Sequence, residues 1–171
     1  MSRHPVLDAR ELRWRKKREL AGETARQFPE ARAAFAFCTL RMPAALRISG
    51  KYHGLVALFQ NALRKTLGSS GIAILAFGTE QYVDGPGSWL AAECDAMTLK
   101  RLAVELEEEH PQGALIDIDV ADSVGNPLSR RDMGYPARKC LVCGEDAVLC
   151  SAGENHSLSE IADRVERMLA K

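Results

Sequence analysis

Two aspartates one residue apart carry the clearest chemical signal in this chain. In Leu115-Ile-Asp-Ile-Asp-Val120, strand alternation sends Asp117 and Asp119 to one face and Ile116, Ile118 and Val120 to the other. Carboxylates this close repel unless a cation lies between them, and Mg2+ takes carboxylate oxygens together with substrate phosphates. The spacing therefore points to nucleotidyl-transfer chemistry, with Asp117 and Asp119 as Mg2+ ligands. An ordinary half-exposed strand is the plain alternative, although Asp is disfavoured in strands.

A second group lies downstream. Cys140-Leu-Val-Cys143-Gly144 has the spacing and following glycine of a zinc knuckle, and Cys150 and His156 follow within reach as third and fourth ligands. Four such ligands close a tetrahedron around structural Zn2+; a reduced cysteine cluster packed as small hydrophobes is the alternative. Cys38 lies in an apolar run and Cys94 just before a helix, so both read as core.

Basic residues flank these groups. Arg130, Arg131 and Arg138 follow the aspartates and are suited to clamp a polyphosphate, and Arg47 in the loop after the first strand offers a second phosphate contact. Each has solvated surface charge as its alternative. His110 reads either as a base or as a charge at the end of an acidic helix. No glycine-rich phosphate motif is present, since Gly68-Ser-Ser-Gly71 lacks the Lys-Ser/Thr of a P-loop.

The elements that must position these residues follow from periodicity. Val6–Gln27 reads as a helix with a solvated basic face, Ala33–Leu40 as a buried strand and His53–Leu67 as an amphipathic helix. Ile72–Val83 and Ser88–Ala92 read as a hairpin around Asp84-Gly-Pro-Gly87. Asp95 is suited to cap a helix bearing Leu99, Leu102, Ala103 and Leu106, with Lys100, Arg101, Glu105, Glu107, Glu108 and Glu109 on its other faces. Ala114–Val120 follows as a strand, and Ser157–Leu169 as a last helix. The expected class is α+β: a ferredoxin-like β-α-β-β-α-β core with an N-terminal helix and a C-terminal Cys-rich loop plus helix. One domain is expected over 1–171, with the core at 28–122 and the Cys-rich loop and last helix at 123–171.

The 171 residues are 46% hydrophobic and 27% charged, and net charge is zero. That balance hides an asymmetry: residues 1–79 carry 14 basic and 5 acidic side chains, residues 80–125 carry 2 and 11. Without a chain-wide basic excess, a nucleic-acid partner is disfavoured. No apolar run is long enough to span a bilayer, and no apolar leader follows Met1, so a cytoplasmic protein is expected.

Ala103-Val-Glu-Leu-Glu-Glu-Glu-His-Pro-Gln-Gly-Ala-Leu-Ile-Asp-Ile-Asp-Val120, Gly125-Asn-Pro-Leu-Ser-Arg130, Arg138-Lys-Cys-Leu-Val-Cys143, Cys150 and His156-Ser-Leu158 together resemble the apo-citrate lyase phosphoribosyl-dephospho-CoA transferase family. The resemblance extends to the Arg-rich first helix and to Ala36-Phe-Cys-Thr-Leu40 with Pro43. It departs after the first strand, where the family tends to read Asn-x-Pro-Gly and then Lys; this chain has Arg41-Met-Pro-Ala44 and Arg47.

The resemblance implies transfer from 2′-(5″-triphosphoribosyl)-3′-dephospho-CoA to a serine of the citrate lyase acyl-carrier subunit, with release of pyrophosphate. Asp117 and Asp119 would hold the metal, and Arg130, Arg131, Arg138 and Arg47 would bind the donor. The serine proton would go to hydroxide on the metal, to a carboxylate or to His110. Acyl carriers are usually acidic, so the helix bearing Arg10, Arg13, Arg15, Lys16, Lys17 and Arg18 is the expected docking surface. Two other classes compete. A non-catalytic zinc-stabilised adaptor binding the acyl-carrier subunit would need the cysteines but not the Asp pair. An RNA-binding module would need exposed aromatics on central strands, where only Phe35 and Phe37 qualify.

Overall fold

The computed structural model describes residues 5–170. Among them lie the helices α1 (Pro5–Gln27), α2 (Ala44–Arg47), α3 (His53–Ser69), α4 (Ala96–Glu109), α5 (Ala147–Ala152) and α6 (Leu158–Leu169), and the strands β1 (Ala33–Leu40), β2 (Ile74–Tyr82), β3 (Gly85–Glu93), β4 (Ile116–Ala121) and β5 (Pro127–Leu128). The fold is α+β. The strands form one antiparallel sheet in the order β2-β3-β1-β4-β5. None of the described helices is long and apolar enough to cross a membrane.

Central position explains the composition of β1. All eight of its residues are buried, because both faces of the sheet are covered and such a strand has no polar side. On one face Ala34, Ala36, Cys38 and Leu40 pack with Ile116, Ile118 and Val120 against Phe59, Leu63 and Leu67 of α3 and Leu99 and Ala103 of α4. On the other face Phe35, Phe37, Ala91 and Ala121 pack with Leu20 and Ala21 of α1. The two phenylalanines that an RNA-binding platform would expose are 0% and 1% accessible, because α1 lies over them.

Short-range chemistry sets the helix ends. Asp95 accepts from the Thr98 backbone N–H at 2.8 Å and caps α4, an interaction worth about 1 kcal/mol. Ser157 and Glu160 form a reciprocal capping box at the start of α6. That helix closes on the core through buried Val165, through Ile161 and Met168, and through a 2.6 Å hydrogen bond from the Tyr52 hydroxyl to Glu166.

Three local differences from the sequence reading have simple causes. The hairpin turn is tighter than Asp84-Gly-Pro-Gly87, since pairing resumes at Tyr82 with Gly85. A 3-10 turn at Gly113–Leu115 precedes β4, so the strand begins at Ile116. Lys100 and Glu107, expected on the faces of α4 away from its leucines, are buried as well, at 3% and 7% exposure. On one side Ile118 pairs with Cys38 of β1; on the other, β5 is only two residues long and reaches Val120 and Ala121 alone, which leaves that side of Ile118 without a strand partner. The Lys100 ammonium donates to the Ile118 carbonyl at 3.0 Å, and Glu107 accepts from the Ile118 N–H at 2.7 Å. Two side chains of α4 thus complete the sheet edge, as buried backbone polar groups require.

Candidate active site

Pairing of β4 with β1 sets Asp117 opposite Thr39 and Asp119 opposite Phe37. Both carboxylates therefore lie on the face that α1 covers, while Ile116, Ile118 and Val120 point into the α3/α4 core. Each aspartate is about one-third exposed and each has a cation beside it. Lys17 of α1, 3% exposed, donates to Asp119 Oδ2 at 2.6 Å. Its ammonium lies 4.5 Å from the Trp14 ring centroid and 5.1 Å from that of Phe37, so aromatic faces replace much of the water it gives up. Arg138 pairs with Asp117 Oδ1 and, at 2.5 Å, with Glu107 Oε1.

Glu107 is the anchor of this arrangement. Its side chain is 4% exposed and accepts from the Ile118 N–H, from Arg138 and, at 2.9 Å, from Arg130, whose other nitrogen reaches Glu108. Burial raises the Glu107 pKa, and the Arg138 guanidinium only partly offsets it. For Asp117 burial also acts upward, but Arg138, Lys17 and Lys100 outweigh it and the net shift is down. One carboxylate is thus held as an anion facing solvent, while its neighbour fixes the arginines.

The expected site residues fall into three places. Asp117, Asp119, Arg138 and Arg130 are tied together through Glu107. Arg47 is elsewhere, pairing with Asp84 at 2.7 Å beside Arg13, and Arg131 is exposed in a 3-10 turn. His110 ends α4 with its ring 4.6 Å from that of Phe59, a residue of the α3/α4 core, and its Nδ1 accepts from the Gln112 N–H. The structure does not bring it to the aspartates' face.

The expected docking helix also needs correction. Lys17 is buried on Asp119, and Arg13 is engaged with Asp84 at 18% exposure. Arg10, Arg15 and Arg18 are the exposed members. Lys17 was readable as an inward residue, since it precedes Leu20, Ala21 and Thr24, all buried, at the spacing of one helix face.

The cysteine loop gathers four ligand atoms. Cys140, Cys143, Cys150 and His156 place theirs all within 4.8 Å of one another; Cys143 and Cys150 sulfurs are 3.4 Å apart, and His156 Nε2 is 3.3 Å from Cys143. A tetrahedral zinc with 2.3 Å Zn–S bonds sets its sulfurs about 3.8 Å apart, so the group could hold a metal such as zinc. The knuckle closes through the Cys140 N–H to the Glu145 carbonyl and the Gly144 N–H to the Cys140 carbonyl, and Gly144 takes a φ of 79° that a side chain would resist. Burial acts to raise the Cys140 pKa, yet N–H groups of Cys143 and Val142 stabilise the thiolate and bring it down to about 7. Cys150 is pushed up to about 11, chiefly by its hydrogen bond with Cys143.

This loop also carries Arg138. The Arg138 carbonyl accepts from the Ala147 N–H at 2.9 Å, and Lys139 bridges to Asp146. Thus the knuckle fixes the backbone from which Arg138 reaches Asp117.

A family model described as apo-citrate lyase phosphoribosyl-dephospho-CoA transferase matches residues 1–171. The chain belongs to that family. A relative from Citrobacter koseri, named apo-citrate lyase phosphoribosyl-dephospho-CoA transferase, is 40% identical over 117 residues, which cover 68% of this chain and 61% of the relative. Relatives of the same name from Escherichia coli and Shigella boydii are each 38% identical over 108 residues, covering 63% of this chain and 59% of theirs. The match spans about three fifths of the length of these curated relatives.

Proposed function

We propose that this protein transfers phosphoribosyl-dephospho-CoA from its triphosphate precursor to a serine of the citrate lyase acyl-carrier subunit. The observation that carries the reading is the Asp117/Asp119 pair on one sheet face, flanked by Lys17 and Arg138, in a chain of this family. The carrier's serine oxygen attacks the α-phosphorus, a P–O bond forms, the bond to the β-phosphate breaks, and pyrophosphate leaves. The serine proton passes to a base, and the position of His110 in the helical layer, with its ring against Phe59, disfavours His110 in that role. Negative charge grows on the non-bridging and leaving oxygens, where preorganised cations are most effective. Arg138, fixed on both sides by carboxylates, and Lys17 supply such charge without reorganising.

The donor set also fits Mg2+. Among the described residues, Asp117 Oδ2 and Asp119 Oδ1 have no hydrogen-bond partner, and both side chains are partly exposed. Bound there with phosphate oxygens, the ion would neutralise charge on the transferring phosphate. In a steady-state assay, pyrophosphate should be released only when donor and apo-carrier are both present; release with donor alone, or none with both, would overturn the reading.

The strand order β2-β3-β1-β4 around β-α-β-β-α-β connectivity supports assigning the core to the ferredoxin-like class. We take 28–122 and 123–171 as parts of one domain, because Arg138 and α6 both pack onto the core. Arg10, Arg15 and Arg18 remain the proposed steering surface for an acidic carrier.

For the cysteine group we propose Zn2+ in a structural role: with four protein ligands present, no position is left open for substrate. Elemental analysis of protein prepared without chelator is expected to give one zinc per chain. Chelation should lower the thermal midpoint and release the C-terminal segment; protein free of zinc with the same midpoint would contradict this.

A further inference from the structure

The row of the sheet that contains Asp117 continues away from it. On the α1 face Asp117 pairs with Thr39, Thr39 with Gly87, and Gly87 with Glu80. Gly87 contributes no side chain, and the Tyr82 ring occupies that space: a Cβ on Gly87 would stand 2.5 Å from Tyr82 Cε2 and 3.2 Å from the Cys38 carbonyl oxygen. Tyr82 is 9% exposed, yet its hydroxyl has no hydrogen-bond partner among the described residues. An unpaired buried hydroxyl is costly and calls for an explanation.

Two guanidinium groups converge nearby. Arg13 comes from α1 and Arg47 from α2, and both reach Asp84 Oδ2 at the hairpin tip, Arg47 at 2.7 Å. Their side chains are 18% and 15% exposed. Among the described residues Asp84 is the one carboxylate that both arginines touch; Asp117 and Asp119 act on them from farther off, and Glu80 acts on Tyr82. Arg47 Nε is also buried without a partner. Burial first and the adjacent Arg13 second lower the Arg47 pKa to about 10, against an opposing pull from Asp117. Gly85 permits this approach, since a Cβ there would stand 2.8 Å from Arg47 Cβ.

We propose that Arg13, Arg47 and Tyr82 form an anion site that holds the terminal phosphates of the triphosphate donor, and hence the departing pyrophosphate. The inference rests on the nucleotidyl-transfer reading, which puts the α-phosphorus at Asp117 and Asp119. Asp117 and Gly87 lie two strand spacings apart, about 10 Å, a gap that the arginine and tyrosine side chains shorten from their end. Unpaired donors on Tyr82 and Arg47, beside two guanidinium groups that share one contacting carboxylate, suit a multiply charged phosphate. Asp84 keeps the two arginines together when it is absent. The two basic groups then divide the work: Arg138 and Lys17 act at the reacting phosphorus, Arg13 and Arg47 at the leaving group.

The test uses inorganic pyrophosphate as probe, titrated calorimetrically into the full chain with neither donor nor carrier. The parent protein should bind it. Tyr82→Phe, which removes only an unpaired hydroxyl, should weaken binding about tenfold without lowering the thermal midpoint, and Arg47→Gln should weaken it more. The donor KM should rise with both, while the carrier concentration for half-maximal rate stays the same. No binding by the parent, or parental binding by both variants, would overturn the site. Weakened binding in a protein that transfers nothing would uphold the anion site and reject the transferase reading; transfer with unaltered pyrophosphate binding in the variants would do the reverse.

Discussion

Asp117→Asn and Asp119→Asn are each expected to cut the transfer rate at least about a hundredfold while leaving the protein folded. Each change removes a negative charge from the proposed meeting place of the metal ion and the transferring phosphate, and losing one such electrostatic group commonly costs 10²–10³ in rate. The amide is close to isosteric with the carboxylate, and the apolar face of β4 is untouched. Repulsion between the carboxylates would suggest that stability rises in these variants. The structure argues otherwise, because Arg138 and Lys17 already neutralise the pair. Asp119→Asn leaves the Lys17 ammonium facing a neutral group, at a cost of about 1 kcal/mol after allowing for the partial exposure of Asp119. Initial rates of pyrophosphate release together with denaturant midpoints check both halves. Rates near the parent's in both variants would remove the aspartates from the chemistry.

The second large effect concerns stability. Glu107→Ala should lower the unfolding free energy by about 3–5 kcal/mol, a large part of the 5–15 kcal/mol typical of a domain. The buried carboxylate serves Arg138, Arg130 and the Ile118 N–H at once. Its removal leaves the Ile118 N–H without an acceptor, Arg138 with Asp117 alone and Arg130 with the exposed Glu108 alone. Glu107→Gln should cost less, since one amide oxygen can still accept from Ile118. The two variants should therefore rank Ala below Gln below parent in denaturant unfolding. A loss under about 1 kcal/mol for Glu107→Ala would show that Glu107 does not organise this edge.

How much of this was legible in the sequence depended on the range of the signal. The alternation of Asp117 and Asp119 with Ile116 and Ile118, the bounds of Ala33–Leu40 and the Asp95 cap are local, and the structure has them in the expected places. Short pieces such as α2, α5 and β5 span too few residues for a period to show. The sequence places Glu107 and Lys100 on faces of the helix other than that of Leu99, Leu102 and Leu106. Yet Lys100, Ala103, Val104 and Glu107 share one helix face at i, i+3, i+4 and i+7, and all four are buried. What the face covers, an incompletely paired strand edge, is a tertiary fact that the helix period does not contain.

The candidate site shows the same division. Cys140, Cys143, Cys150 and His156 could be grouped from spacing, and the structure brings their ligand atoms together. Arg130 and Arg138 were named for phosphate binding from proximity along the chain. Their shared anchor on Glu107 lies 23 and 31 residues away in sequence, and the partnership of Lys17 with Asp119 spans 102 residues. Contacts of that separation depend on sheet order. The choice among bases, left open between hydroxide on the metal, a carboxylate and His110, narrows once His110 is placed against Phe59.

The most direct measurement is the intact mass of the apo-acyl-carrier subunit after incubation with this protein, the triphosphoribosyl-dephospho-CoA donor and Mg2+. The carrier should be heavier by one phosphoribosyl-dephospho-CoA unit, with no gain when its acceptor serine is replaced by alanine and almost none with Asp117→Asn. A carrier of unchanged mass, with the protein shown to be folded and bound to it, would contradict the account and leave a carrier-binding adaptor.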